Sequence, residues 1–89
     1  MANVYYNKTY ISTATTTTIK TGQGVLHTVV VNGGTAGTVI IYDNTSGAGT
    51  VIASFDSTNA LATYTFDVQF TTGLTIVTGG ATKVSVSWK

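Results

Sequence analysis

The feature that most limits the fold of this chain is a strict alternation of apolar and polar residues near its end. From residue 64 to residue 70, every second position is Tyr, Phe, Val or Phe, and the positions between are polar. The pattern recurs in residues 83–89, where Val84, Val86 and Trp88 alternate with lysine and serine. Successive side chains of a β-strand point to opposite faces, so both segments are predicted strands of an antiparallel sheet with one wet face.

Composition extends the strand prediction to the rest of the chain. Threonine occupies 20 of the 89 positions and glycine 10, and both are poor residues for the interior of a helix. We therefore expect about eight short strands and an all-β, antiparallel two-sheet β-sandwich of jelly-roll or immunoglobulin-like type. The remaining strands are predicted in residues 4–11, 14–19, 25–31, 38–43, 50–55 and 74–78.

Two glycine-rich segments are predicted to be turns. Residues 44–49 separate two apolar runs and read as a hairpin loop. Residues 33–37 resemble a phosphate-binding loop, but such loops lead into a helix and none is expected here. We interpret them as a hairpin turn.

The size of the chain predicts one domain whose stability depends on partners. Its 89 residues bury a thin core, and small domains are usually reinforced by disulfides, metals or oligomerisation. There is no cysteine, and a single histidine argues against a structural zinc ion. We expect residues 25–89 to form the sandwich body, and residues 1–24 to provide an N-terminal arm with the first strands, a candidate contact with other copies or with a partner.

Charge is scarce, and this excludes several classes of partner. Only 8% of residues are charged, with a net charge of +1, which is too little for a nucleic-acid-binding surface. The N-terminal residues do not show the pattern of a signal peptide. No later run of apolar residues is long enough to span a membrane. We therefore expect neither nucleic acid nor membrane as a partner.

The residues that could perform chemistry are few and scattered, so no enzymatic activity, catalytic residue, cofactor or metal is predicted. His27 lies within a predicted strand with no acidic residue nearby in sequence, and we expect its ring to pack and hydrogen-bond locally. Asp43 and Asp56 end strands, where turn bonding to the next residue explains them. A calcium cage of Asp43, Asn44 and Asp56 is a weak alternative, because calcium takes six or more oxygens.

Three tyrosines near the start of the chain are the candidate interface residues. Tyr5, Tyr6 and Tyr10 each combine a large apolar ring with a polar tip, which suits protein interfaces. The same rings could instead fill the sandwich core or line a ligand site, and the sequence leaves these three interpretations open.

The chain from Val25 to Lys89 resembles small structural proteins of tailed bacteriophages. The resemblance is carried by four segments: Leu26-His27 with the apolar run after it, Tyr42 through Ile52, Phe66 through Leu74, and Val84 through Trp88. It covers roughly three quarters of the chain and does not include residues 1–24.

The resemblance implies a capsid decoration (cement) protein, made in the host cytoplasm and located on the virion surface. Such a protein is a non-enzymatic β-sandwich that forms homotrimers and bridges capsomers of the major capsid protein. The alternative function is a phage tail or receptor-binding module that recognises carbohydrate on the host surface.

Overall fold

The computed structural model describes residues 5–57 and 61–89, which form strands and turns only. The predicted all-β class is confirmed. The strands are β1 (Asn7–Ile11), β2 (Thr16–Thr21), β3 (Gly24–Gly34), β4 (Gly37–Asp43), β5 (Thr50–Ser57), β6 (Ala62–Phe70), β7 (Gly73–Thr78) and β8 (Thr82–Trp88). Val4, which the prediction placed in the first strand, lies outside the described residues.

The strands form two antiparallel sheets of four. Sheet A has the order β1-β8-β3-β6, and sheet B has the order β2-β7-β4-β5. The first strand pairs with the eighth, the second with the seventh, the third with the sixth and the fourth with the fifth. This is the pairing of one long hairpin that is folded over into two layers. This is the jelly-roll topology, which decides between the two sandwich types that the sequence left open.

The core lies between the sheets and follows from the alternation in sequence. Phe70 is fully buried, Phe66 and Val68 pack against the core, and Tyr64 lies at the rim with its ring partly exposed. The fully or almost fully buried apolar residues are Ile11, Leu26, Val29, Val31, Val39, Ile41, Phe70, Leu74, Ile76, Val84 and Val86.

Strand β3 lies between β8 and β6 in its sheet, and a β-bulge breaks its alternation. Leu26 and Val29 are both buried although they are three positions apart. Between them, His27 is an extra residue relative to β8, where Leu26 pairs with Trp88 and Thr28 with Ser87. This extra residue shifts the phase of β3, so burial resumes at Val29 instead of Thr28. On its other side, His27 lies opposite two residues of β6, Phe66 and Asp67.

One predicted turn is confirmed and the other is wrong. The segment 44–49 joins β4 and β5, which pair with each other as a hairpin. The segment 33–37 joins β3 to β4, and these strands belong to different sheets. It is therefore a crossover between the two layers, made possible by positive φ angles at Gly33 and Gly34.

Candidate functional site

The two sheets differ in how much of their outer face is covered by loops of the chain. The loop 44–49 folds back over sheet B, where Gly47 lies so close to Val77 that an added Cβ would come within 2.8 Å of its methyl group. The hydroxyl of Thr75 donates to the carbonyl of Asn44 at 2.8 Å and ties the base of the loop down. Within the described residues, no loop is tied over the outer face of sheet A in this way, and this face is the candidate functional surface.

The outer face of sheet A carries small hydroxyl residues in cross-strand rows. One row, in register across the four strands, is Tyr10, Ser85, Val30 and Thr63, and the next is Lys8, Ser87, Thr28 and Thr65. A single lysine is the only charged residue in these eight positions. These two rows therefore carry a single charge and are rich in hydroxyl groups.

The three candidate interface tyrosines lie on or beside this surface, and none of them is a core residue. Tyr5 is 82% exposed, Tyr10 58% and Tyr6 41%. Tyr10 begins the first cross-strand row, and Tyr6 precedes β1 at the end of the same face. The structure therefore leaves an interface or a ligand-contact role for these rings and removes the core interpretation.

Tyr6 makes a specific contact that the sequence did not predict. Its ring stacks on His27, with centroids 4.1 Å apart and planes 8° from parallel, while His27 Nδ1 lies 2.5 Å from Asp67 Oδ1. The ammonium group of Lys89 lies 5.2 Å from the centre of the Tyr6 ring. We call Tyr6, His27, Asp67 and Lys89 the clasp. It fixes the chain just before β1, next to the exposed Tyr5.

The clasp depends on the bulge that pairs His27 with Asp67. Asp67 is the one non-glycine residue of the described region with a left-handed backbone, at φ 49°. Aspartate tolerates this conformation better than most residues, and bulges commonly redirect a side chain. The two residues are 40 positions apart, so only the pairing of β3 with β6 brings them together.

The clasp contains two members of a catalytic triad, but its arrangement favours a structural role. Asp67 orients the imidazole of His27, as an acid does in a Ser-His-Asp site. Nucleophilic catalysis also requires an activated hydroxyl or thiol held at the imidazole. The contacts of the His27 ring are instead Asp67 at Nδ1 and the stacked ring of Tyr6, which hold the imidazole in place. His27 packs and hydrogen-bonds as expected, but its partner is not local: Asp67 lies 40 positions away in the sequence.

The carboxylate of Asp43 links the end of β4 to the turn that follows β6, and does not close a turn with the residues after it. Its carboxylate accepts hydrogen bonds from the backbone amides of Thr71, Thr72 and Gly73, at distances from 2.9 to 3.4 Å. These amides belong to the turn between β6 and β7, so the bonds reach across to another part of the chain instead of closing an Asx turn. The same amide bonds, with Thr72 and Thr71 contributing most, lower the pKa of Asp43 from its ordinary value of 3.8.

The calcium cage considered above does not form from the residues proposed for it. Asp56 pairs with Thr38, five residues before Asp43 on the same strand, which separates the two acids by about 17 Å at about 3.4 Å per residue. Asn44 uses its amide nitrogen on the carbonyl of Ala48. Within residues 5–57 and 61–89, no three histidine, cysteine or acidic residues are grouped so that they could hold a metal ion.

Removing the charge of Asp43 should destabilise the fold in a pH-dependent way. A carboxyl whose pKa is lower in the folded state stabilises the fold above its unfolded pKa, and this stability is lost as pH falls through the folded value. We expect Asp43→Asn to lower the free energy of unfolding at pH 7, and the difference from wild type to shrink as the pH drops below 3.8. Urea unfolding between pH 2.5 and pH 7 measures it. An equal difference at both ends of this range would show that the charge has no role.

Comparisons of the sequence with family models and with curated proteins identified no relative. Among the described residues, no helix is long and apolar enough to cross a membrane.

Proposed function

We propose that this chain is a non-enzymatic structural protein of a phage virion, a decoration (cement) protein that stabilises the head by bridging capsomers. The observation that carries the proposal is the uncovered outer face of sheet A, whose two central rows carry a single charge, with Tyr5 and Tyr10 exposed on or beside it. A surface with large aromatic anchors and few charges avoids the high cost of burying unpaired charges, which suits burial against another protein.

Two further features support an assembly role. The chain has very few charges for a protein that diffuses alone, and solubility usually requires mixed surface charge. Eight-stranded jelly rolls recur in viral capsid and lectin domains, although a fold by itself does not determine function. On a capsid, many weak and symmetric contacts act together, so avidity supplies the stability that one contact lacks. The proposed partners are the major capsid protein and other copies of this chain in a homotrimer.

The proposed function predicts a change in the heat resistance of the particles. Phage particles made without this chain should release their genome at a lower temperature than complete particles, and purified chain added back should restore the higher temperature. Fluorescence of a DNA-binding dye during heating measures genome release, and an unrelated small β-protein added in the same amount is the control. Equal release temperatures with and without the chain, together with no binding on addition, would reject the proposal.

A second candidate function is recognition of host-surface carbohydrate. It is favoured by the surroundings of Tyr10, whose neighbour in the row, Ser85, accepts a hydrogen bond from the amide of Asn32 at 2.9 Å. An exposed aromatic ring beside hydroxyl and amide groups offers a neutral sugar both stacking and hydrogen bonds. Reproducible binding on a glycan array that disappears with Tyr10→Ala would support this function, and no binding on the array would reject it.

A further inference from the structure

The charged residues of the four edge strands are divided by sign between two sides of the jelly roll. The lysines of the edge strands are Lys8 on β1 and Lys20 on β2. The acids of the edge strands are Asp56 on β5 and Asp67 on β6. The other charges lie on inner strands or beyond the strand ends: Lys83 on β8, Asp43 at the end of β4, and Lys89 after β8 in the clasp.

The four edge strands form two opposite sides of the sandwich. On one side β1 and β2 are joined by only four residues, and Lys20 of β2 reaches to within 5.9 Å of the Trp88 ring at the end of sheet A. On the other side, β5 and β6 are held together by the rings of Phe55 and Tyr64, whose centroids are 4.6 Å apart. We call these the basic edge (β1 and β2) and the acidic edge (β5 and β6).

We infer that the basic edge of one copy of this chain packs against the acidic edge of another, in a head-to-tail lateral contact. The occupant is a second copy because each edge carries the charge that the other edge attracts, and both belong to the same molecule. A contact between two unlike surfaces of one chain is heterologous, and it closes into a ring when the rotation permits. The inference rests on the proposed function, which includes a homotrimer, and identifies the surfaces that would build it.

The contact is made by side chains rather than by a continuous β-ladder. Three of the four edge strands contain a bulge: β2 near Ile19, β5 near Ile52 and β6 at Asp67. The fourth, β1, is five residues long and carries Lys8. Bulges and edge lysines are the usual protections against strand addition, so backbone pairing between copies is disfavoured on both edges.

The acidic edge also offers apolar surface for burial. The Phe55 and Tyr64 rings lie partly exposed at the opening between the two sheets, and Val51 on the same edge strand is 49% exposed. Neither β5 nor β6 contains a lysine. Apolar area surrounded by one sign of charge combines burial with steering toward a partner of opposite charge.

Charge-swapped variants test the contact directly. Lys8→Glu with Lys20→Gln gives a chain with two acidic edges, and Asp56→Lys with Asp67→Asn gives one with two basic edges. Asparagine is chosen at position 67 because it tolerates the left-handed backbone. Sedimentation velocity in 0.1 M NaCl should show that each variant alone has a self-association constant about tenfold or more below that of wild type. An equimolar mixture of the two variants should associate with a constant within about threefold of the wild-type value.

The matched control is Lys83→Glu, which changes net charge as Lys8→Glu does. The aliphatic part of Lys83 leans against Gly34 of β3, away from the edge, so this variant should associate like wild type. Near-UV circular dichroism checks folding, and the single exposed changes Lys8→Glu and Asp56→Lys replace any double variant that does not fold.

The outcomes separate this contact from the proposed function. The lateral contact would be overturned if the wild type stays monomeric. It would also be overturned if the variants associate like wild type, or if mixing them does not restore association. Attachment to particles that persists in those cases would leave the decoration role standing. Salt-sensitive association that is lost in each variant and restored by mixing would support the contact even if attachment to particles fails.

Discussion

Phe70→Ala should lower the free energy of unfolding by about 3–5 kcal/mol, the largest loss expected for any single truncation in this chain. Phe70 is the largest fully buried side chain and ends β6 opposite Gly24. A Cβ on Gly24 would lie 2.6 Å from the Phe70 ring, so the ring occupies the space that the glycine leaves open. Loss of the ring therefore creates a cavity that the rigid neighbouring backbone cannot close.

The loss is large relative to the total stability of a domain of this size, which is about 4–13 kcal/mol at 0.05–0.15 kcal/mol per residue. Urea unfolding followed by the fluorescence of Trp88 measures it, and Leu61→Ala, at a residue that is 79% exposed, is the matched control with little expected effect. A loss below about 1 kcal/mol in Phe70→Ala would show that this end of the sandwich is not packed as described.

The double substitution Tyr5→Ala and Tyr10→Ala should weaken attachment to capsids by about 100-fold or more while leaving the fold intact. Tyrosines at the centre of an interface often contribute about 2 kcal/mol each, and 1.4 kcal/mol corresponds to a factor of ten in affinity. Both rings are mostly exposed in the isolated chain, so their removal costs little folding free energy. Binding to particles that lack the chain, followed by co-sedimentation, measures the affinity.

Two controls make this result specific to the outer face of sheet A. Val51→Ala removes an exposed apolar side chain from β5 of sheet B and should bind like wild type. Tyr6→Ala removes a ring that the clasp already uses, and we expect a smaller loss that comes from freeing the segment before β1. Undiminished attachment of the double variant would place the capsid contact elsewhere on the molecule.

Local pattern predicted the strands because alternation reports directly which face of a strand is buried. Val84 and Val86 are buried in β8 as their spacing indicated, and the two-sheet architecture follows from the number of such strands. The crossover at 33–37 was mistaken for a hairpin because glycine-rich turns look alike in sequence. Which strands a turn connects is decided by the pairing of distant segments.

The sequence revealed the tyrosines of the candidate site but not the clasp. Tyr5, Tyr6 and Tyr10 were recognisable by residue type and position in the chain. The bond between His27 and Asp67 depends on a bulge and on the pairing of β3 with β6, and neither leaves a local signal. The opposite charges of the two edges were equally hidden, because only the strand order shows that Lys8 and Lys20 share one side and Asp56 and Asp67 the other.

The central claim, that this chain acts as a component of an assembled virion, is tested most directly by its copy number in purified phage particles. Quantitative mass spectrometry against the major capsid protein gives this ratio. The account predicts a fixed, large copy number that is a multiple of three and in simple proportion to the capsid subunits. Particles that contain none of the chain, or only a variable trace, would contradict it.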